Sequence, residues 1–338
     1  MKRVLVTGGT GFVGAYLLHY LVQKGYEVCA LKRASSPMYL VQEIVDKIEW
    51  IEGDLLDLNI LEQALKGVDH VYHSAAMVSF GAKGVERMMK VNVEGTANLV
   101  NLSIEAGVEK FLQVSSIAAL GRKEHQRHVD EQCQWENSKM NTNYAISKFK
   151  AECEVWRGIE EGLNAVIVNP SMILGAGYWD VGSGKLFQQV DTGLKYYPVG
   201  HTGYVDVRDV AKASIALMES DINGERYILS AENNSWEWFF NRVAELLKKK
   251  KPSTKVTPFL GGFAWRMEWL KSKLTGKNPL ITQETIRTSA GVYDYDNSKI
   301  KEHLGYEFRA LDETIQTTAK CYLESQKTQQ HYSLLPID

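Results

Sequence analysis

Arg3-Val4-Leu5-Val6-Thr7-Gly8-Gly9-Thr10-Gly11-Phe12-Val13-Gly14 is the stretch on which the fold reading turns. Arg3–Val6 is a short β-type apolar run, and Tyr16–Gln23 has the spacing of an amphipathic helix. Between them lies Gly9-x-Gly11-x-x-Gly14. A strand, a glycine turn and a helix in that order are the context a dinucleotide fingerprint needs. Glycines permit the tight turn and let the backbone approach a pyrophosphate, which then rests on the helix N-terminus.

Outward from this turn the alternation continues. Glu27–Leu31, Ile48–Glu52, His70–His73, Lys110–Val114 and Ala165–Val168 read as strands, and Ile60–Leu65, Val85–Ala106 and Asn143–Glu161 as helices. Strands alternating with helices predict an α/β fold, a doubly wound parallel sheet of Rossmann type. Gly25, Gly107 and Gly162 fall where helix C-terminal caps belong. After about residue 170 the rhythm loosens into Gly- and aromatic-rich segments such as Gly175-Ala-Gly-Tyr-Trp179 and Tyr196-Tyr-Pro198. The expectation is a dinucleotide-binding domain over 1–170, with returns from later segments, and a smaller, mainly substrate-binding portion over 171–338.

The 338 residues are 44% hydrophobic with a formal net charge of −2, which suggests neither a nucleic-acid nor an anionic-membrane partner. Cys29, Cys133, Cys153 and Cys321 show no Cys-x-x-Cys spacing, as expected of reduced thiols without a zinc site. No run is long enough to span a membrane, and the N-terminus reaches glycine too soon for a secretory signal. A soluble, cytoplasmic protein is expected. His125 and His128 imitate a metal pair, but without a nearby cluster of further ligands they read as a solvated loop, so no metal is expected. Trp265 and Trp269, with Met267 between them and Lys271, Lys273 and Lys277 beyond, read as core or a lid in preference to a membrane surface. Lys248–Lys251 reads as a solvated helix end.

Two features carry chemistry. Tyr144 and Lys148 stand four residues apart and so share a helix face. A free phenol has a pKa of roughly 10, and a neighbouring cation lowers it. The second is Lys32-Arg33, where the second strand ends. NAD-binding folds place a carboxylate there for the ribose 2′-hydroxyl, whereas two cations suit a 2′-phosphate, so NADP is favoured over NAD. Ser115 and Ser116 both follow the fifth strand at the ligand-binding edge of the sheet, and the residues alone do not choose between them.

Together these residues resemble the extended short-chain dehydrogenase/reductase superfamily over nearly the whole chain, most like dihydroflavonol-reductase-like proteins, with nucleotide-sugar epimerases as close relatives. Thr7–Gly14 matches the family's glycine loop, Gly53-Asp54-Leu55 its adenine-contacting segment, and His73-Ser74-Ala75-Ala76 the cofactor-lining end of the fourth strand. Asn92 falls in its Asn-x-x-Gly-Thr helix, Asn169-Pro170-Ser171 in the nicotinamide-side loop, and Tyr204–Val210 in a late signature. The resemblance implies a cofactor site of Gly8, Thr10, Gly11, Phe12, Val13, Lys32, Arg33, Asp54, Leu55, Ser74, Ala75, Ala76, Asn92, Ser115, Tyr144, Lys148, Pro170 and Ser171. It also implies catalysis by Ser116, Tyr144 and Lys148. Ser116 binds the substrate oxygen, Tyr144 exchanges its proton, and Lys148 lowers the phenol's pKa while holding the nicotinamide ribose.

The implied activity is NADP-dependent hydride transfer between nicotinamide and a carbonyl or alcohol. A nucleoside-diphosphate-sugar epimerase or dehydratase holding NAD tightly is the alternative, and a catalytically inactive NADP sensor a more distant one. Lys185, Lys195 and Arg208 are the candidate diphosphate ligands of the epimerase reading. A homodimer through Val85–Ala106 and Asn143–Glu161 is the family's expectation.

Overall fold

Apolar runs with no polar face bury both faces by pairing side by side beneath helices. The computed structural model describes residues 1–79, 84–121, 126–256 and 288–338. In it seven strands, apolar and buried in the middle and charged at the two edges, form one parallel sheet: β1 (Arg3–Thr7), β2 (Glu27–Lys32), β3 (Glu49–Glu52), β4 (His70–His73), β5 (Lys110–Val114), β6 (Ala165–Pro170) and β7 (Glu225–Leu229). The order across the sheet is β7-β6-β5-β4-β1-β2-β3. β4, β5 and β6 are buried along their whole length. From β1 the chain winds outward to β2 and β3, then crosses back to β4 on the other side. That reversal beside β1 is a topological switch point, where such sheets bind ligands beyond their carboxyl ends.

The expected strands sit within a residue or two of the observed ones. β7 is the addition. It pairs in parallel with β6 from Glu225 against Val166 to Leu229 against Pro170. The helix preceding it, Val207–Glu219, packs against Phe12–Gln23 on one face of the sheet. Later segments therefore return to the first layer. Gly25, Gly107 and Gly162 follow their helices with φ of +81°, +68° and +102°, the left-handed geometry of a C-terminal cap.

The expected helix over Val85–Ala106 is interrupted. Helices Val85–Met89 and Gly95–Glu105 are joined by a π-helical turn, Lys90–Glu94. Hydrophobic spacing does not register such a turn, which shifts the backbone hydrogen bonds by one residue. Beyond β6, strands Met172–Leu174, His201–Asp206 and Glu232–Ser235 form a three-stranded sheet. Tyr204 stacks on Phe239 at 5.3 Å and Trp236 on Phe240 at 5.9 Å, so this part of the aromatic second half is packed interior. His125, Trp265, Met267, Trp269, Lys271, Lys273 and Lys277 lie outside the described residues. Among the described residues no helix is long and apolar enough to cross a membrane, and no group of three or more potential metal ligands gathers.

Candidate active site

The glycine loop is shaped by what approaches it. Gly8 has φ +69°, and a Cβ there would lie 2.7 Å from the Ala75 backbone. A Cβ on Gly14 would lie 2.1 Å from the Gly8 carbonyl oxygen. Gly11 caps the helix Phe12–Gln23 without offering a side-chain acceptor, and no acidic residue stands in the first turn. An extended cap with positive dipole and no anion of its own fits a bound pyrophosphate.

The end of β4 is held against this loop by a chain of hydrogen bonds. The buried His73 ring contacts Thr7 Oγ1 at 2.6 Å through Nδ1 and Thr96 Oγ1 at 3.0 Å through Nε2. Burial, with Lys148 adding to it, pushes His73 down to about 3, so the ring is neutral at physiological pH. Ala75 N donates to Thr7 Oγ1 at 3.2 Å, which fixes where the Ser74–Ala76 segment leaves the sheet. Asn92, in the π turn, is 2% exposed. Its amide is taken up by Met77 N (2.7 Å), Met77 O (2.9 Å) and Ser147 Oγ (3.0 Å). Asn92 thus straps the Ala75–Met77 loop to the helix Asn143–Glu160 and presents no free group.

That helix begins at the Thr142 cap, whose hydroxyl accepts from Ala145 N at 3.0 Å. Tyr144, in the first turn, is partly exposed, and Lys148, one turn on, is 2% exposed. Ser116 ends the segment after β5. Its hydroxyl accepts from Ala118 N at 3.2 Å and hydrogen-bonds the Tyr144 phenol. Burial raises the phenol above its ordinary range, and the Ser116 bond opposes that shift. The Lys148 amine donates to Val114 O at 2.9 Å. Burial brings it down to about 8, against the upward pull of Glu152. The direct partner of the phenol is therefore Ser116, while Lys148 is tied to the end of β5. Ser115 is buried beside Ser116, with its backbone N–H donating to Val168 O at 2.8 Å. Pro170 and Ser171 close β6 next to them, and Ser171 N bonds Leu229 O at 2.9 Å.

The residues expected at the adenine have structural duties of their own. Asp54 Oδ1 accepts from Leu56 N at 3.1 Å, and Asp57 caps the helix Leu58–Ala64. Leu55 is buried beneath Gly95. Lys32 faces Glu52 across the β2–β3 register and pairs with it at 3.1 Å, whereas Arg33 is exposed. Arg208 is no free cation either. It is 5% exposed and grips Asp206 with two nitrogens, at 3.0 and 2.7 Å.

A glycine cradle on a helix N-terminus, opposite a serine–tyrosine pair at one sheet edge, is matched by the family model for the NAD dependent epimerase/dehydratase family over residues 4–230. The chain belongs to that family. It is an NAD(P)-dependent enzyme of the extended short-chain dehydrogenase/reductase type. It is 34% identical over 327 residues to the protein of Synechocystis sp. named "Putative dihydroflavonol 4-reductase", covering 92% of this chain and 91% of that one. Cinnamoyl-CoA reductase 1 of Petunia hybrida is 27% identical over 339 residues, covering 95% and 92%. The structure of UDP-glucose 4-epimerase from Thermotoga maritima superposes with a TM-score of 0.79 at 21% identity, covering 96% and 100%, a likeness of fold.

Two residues around the site, Glu152 and Arg226, were not singled out by sequence reasoning. Glu152 is buried behind Lys148 and bonded to Asn169 of the expected nicotinamide-side loop, and Arg226 reaches it from β7. Glu152 did carry a signal, since it continues the four-residue spacing of Tyr144 and Lys148. Arg226 carried none.

Proposed function

We propose that this enzyme is an NADP-dependent reductase that transfers hydride to the carbonyl of a small organic substrate, or takes it from the matching alcohol. Ser116, Tyr144 and Lys148 manage the substrate oxygen. The observation that carries the reading is the gathering of Ser116, Tyr144 and Lys148 at the end of β5, with the Lys148 amine on Val114 O at 2.9 Å and the Ser116 hydroxyl acting on the phenol. A phenol held up by burial is protonated at neutral pH, the form that donates to a carbonyl oxygen as it gains charge. The Ser116 hydroxyl binds the same oxygen and steadies it. The charged Lys148 amine counters charge left on the phenolate once its proton has moved.

The bound nicotinamide supplies the hydride. Gly8, Thr10, Gly11, Phe12 and Val13 would hold its pyrophosphate, with Ser74, Ala75 and Ala76 alongside. Asp54 and Leu55 would line the adenine, and Ser115, Pro170 and Ser171 the nicotinamide side. Arg33 would take the 2′-phosphate, Lys32 being engaged by Glu52. Residues 171–338 would contribute mainly the substrate side. The two reductases compared above support a carbonyl substrate. The engagement of Arg208 by Asp206 leaves Lys185 and Lys195 of the three candidate diphosphate ligands, which weighs against a sugar nucleotide.

The test is Tyr144→Phe. Turnover of NADPH against an aldehyde and ketone panel should fall at least about a hundredfold, the usual scale of a lost general acid. NADPH affinity by fluorescence titration should stay close to the wild-type value. Wild-type turnover in that variant refutes the assignment. Purification with tightly held NAD, together with epimerisation of a sugar nucleotide, would replace the reductase reading.

A further inference from the structure

Tyr144, Lys148 and Glu152 recur every fourth residue on one helix and so share a face. The first two have roles in the proposed reaction. The third is the most buried charged residue of the helix, 1% exposed. Burying a carboxylate is expensive unless donors and cations meet it. Here they do. Asn169 Nδ2 donates to Glu152 Oε1 at 2.5 Å, and the Arg226 guanidinium faces Oε2 at 3.5 Å. The same Asn169 nitrogen donates to the Ser116 carbonyl at 3.0 Å. Arg226 is itself anchored, donating to Glu131 O at 2.8 and 2.6 Å and to Cys133 O at 2.7 Å. Burial pushes the Glu152 carboxyl above its ordinary range, while the Ser115 hydroxyl, the Arg226 charge and the Asn169 amide favour the ionised form and oppose that push.

We propose that Glu152 is a positioning residue: its buried carboxylate keeps the Lys148 amine charged and, through Asn169, fixes the Ser116 loop against the helix bearing Tyr144. The inference rests on the reading of Ser116, Tyr144 and Lys148 as the reacting set. The other charged or titratable groups around the pair are Tyr144 and Cys153 on the same helix, His73 from β4 and Arg226 from β7. His73 is neutral, so it does not compete for the carboxylate. Arg226 is held in place by backbone carbonyls, so it does not swing toward Lys148 when Glu152 changes. An amine buried this deeply and bonded to one carbonyl would shed its proton more readily without a carboxylate one turn along the helix.

The experiment is an NMR pH titration of the full chain carrying 13Cε- and 15Nζ-labelled lysine. The Lys148 signal is identified by its absence from Lys148→Arg. In the wild type the amine should titrate near pH 8. In Glu152→Gln, which keeps the acceptor for Asn169 and removes only the charge, the midpoint should drop by about one unit or more. Glu152→Asp, which restores the charge, should bring it back toward the wild type. Where Glu152→Gln does not fold, as judged by near-ultraviolet circular dichroism, the nearly isosteric and uncharged Glu152→Met takes its place. It also removes the carboxylate and should lower the Lys148 midpoint in the same direction. An unchanged midpoint in the folded variant overturns the proposal. This readout needs no substrate, so it is separable from the reductase reading: Tyr144→Phe turnover decides the latter alone.

Discussion

Gly8→Ala tests how the cofactor cradle is built, and Gly25→Ala is its control. Both glycines have left-handed backbones, φ +69° and +81°. A Cβ on Gly25 meets nothing within 4 Å, so its replacement carries only the conformational penalty, roughly 1–2 kcal/mol for an L-residue. A Cβ on Gly8 lies 2.7 Å from Ala75 N and Cα and 2.8 Å from Ser74 C. These are backbone atoms, tied down by Ser74 N to Thr7 O and Ala75 N to Thr7 Oγ1, both at 3.2 Å, so they cannot rotate aside as a side chain would. Overpacking against fixed atoms adds about 1–3 kcal/mol. Gly8→Ala should therefore be destabilised by about 2–5 kcal/mol and Gly25→Ala by about 1–2, the difference being the close approach alone. Urea unfolding measures both. NADPH affinity should fall in Gly8→Ala and hold in Gly25→Ala, because relief of the clash prises the loop from Ser74–Ala76. Equal destabilisation of the two variants, or unaltered NADPH binding by Gly8→Ala, would refute this account.

Two further outcomes follow from the charges. His73 has a folded pKa of about 3 against an ordinary 6.5. The unfolded chain thus binds a proton that the folded chain refuses. This part of the stability is present above pH 6.5 and is lost as pH falls toward 3, at about 1.4 kcal/mol per unit. His73→Gln should flatten the decline between pH 6.5 and 5 seen in urea unfolding, and identical slopes would contradict the burial argument. Arg33→Ala should weaken NADPH by about tenfold or more, the scale of a charge-assisted hydrogen bond, and leave NADH nearly unchanged. Lys32→Ala should do less, since Glu52 already holds that amine; competitive titration of both cofactors separates the two, and a larger loss from Lys32 would reverse the assignment.

Much of the fold was legible because its signals are short-range. β1 and the glycine loop are contiguous, and the requirement at Gly8 and Gly14 is written in the residues themselves. β4 and β5, buried along their whole length, were read to the residue. β7 was not, because Glu225-Arg226-Tyr227 opens a sheet-edge strand with charge where an interior strand would be apolar. The π turn at Lys90–Glu94 was equally hidden, since periodicity reports which face is apolar and not which carbonyl each amide chooses.

The candidate site divides in the same way. Residue type and spacing alone marked the helix face carrying Tyr144 and Lys148, and the hydroxyls at the end of β5. Which groups touch was decided by tertiary structure. Lys32 meets Glu52 only because β2 and β3 pair in that register, and Arg208 is spent on Asp206. The phenol bonds Ser116, while the amine beneath it is bound to Val114 and balanced by Glu152. Local sequence determines which functional groups a turn or a helix face presents. The proton each holds depends on how much water is excluded and which distant charges are folded against it, and those are properties of the packed sheet.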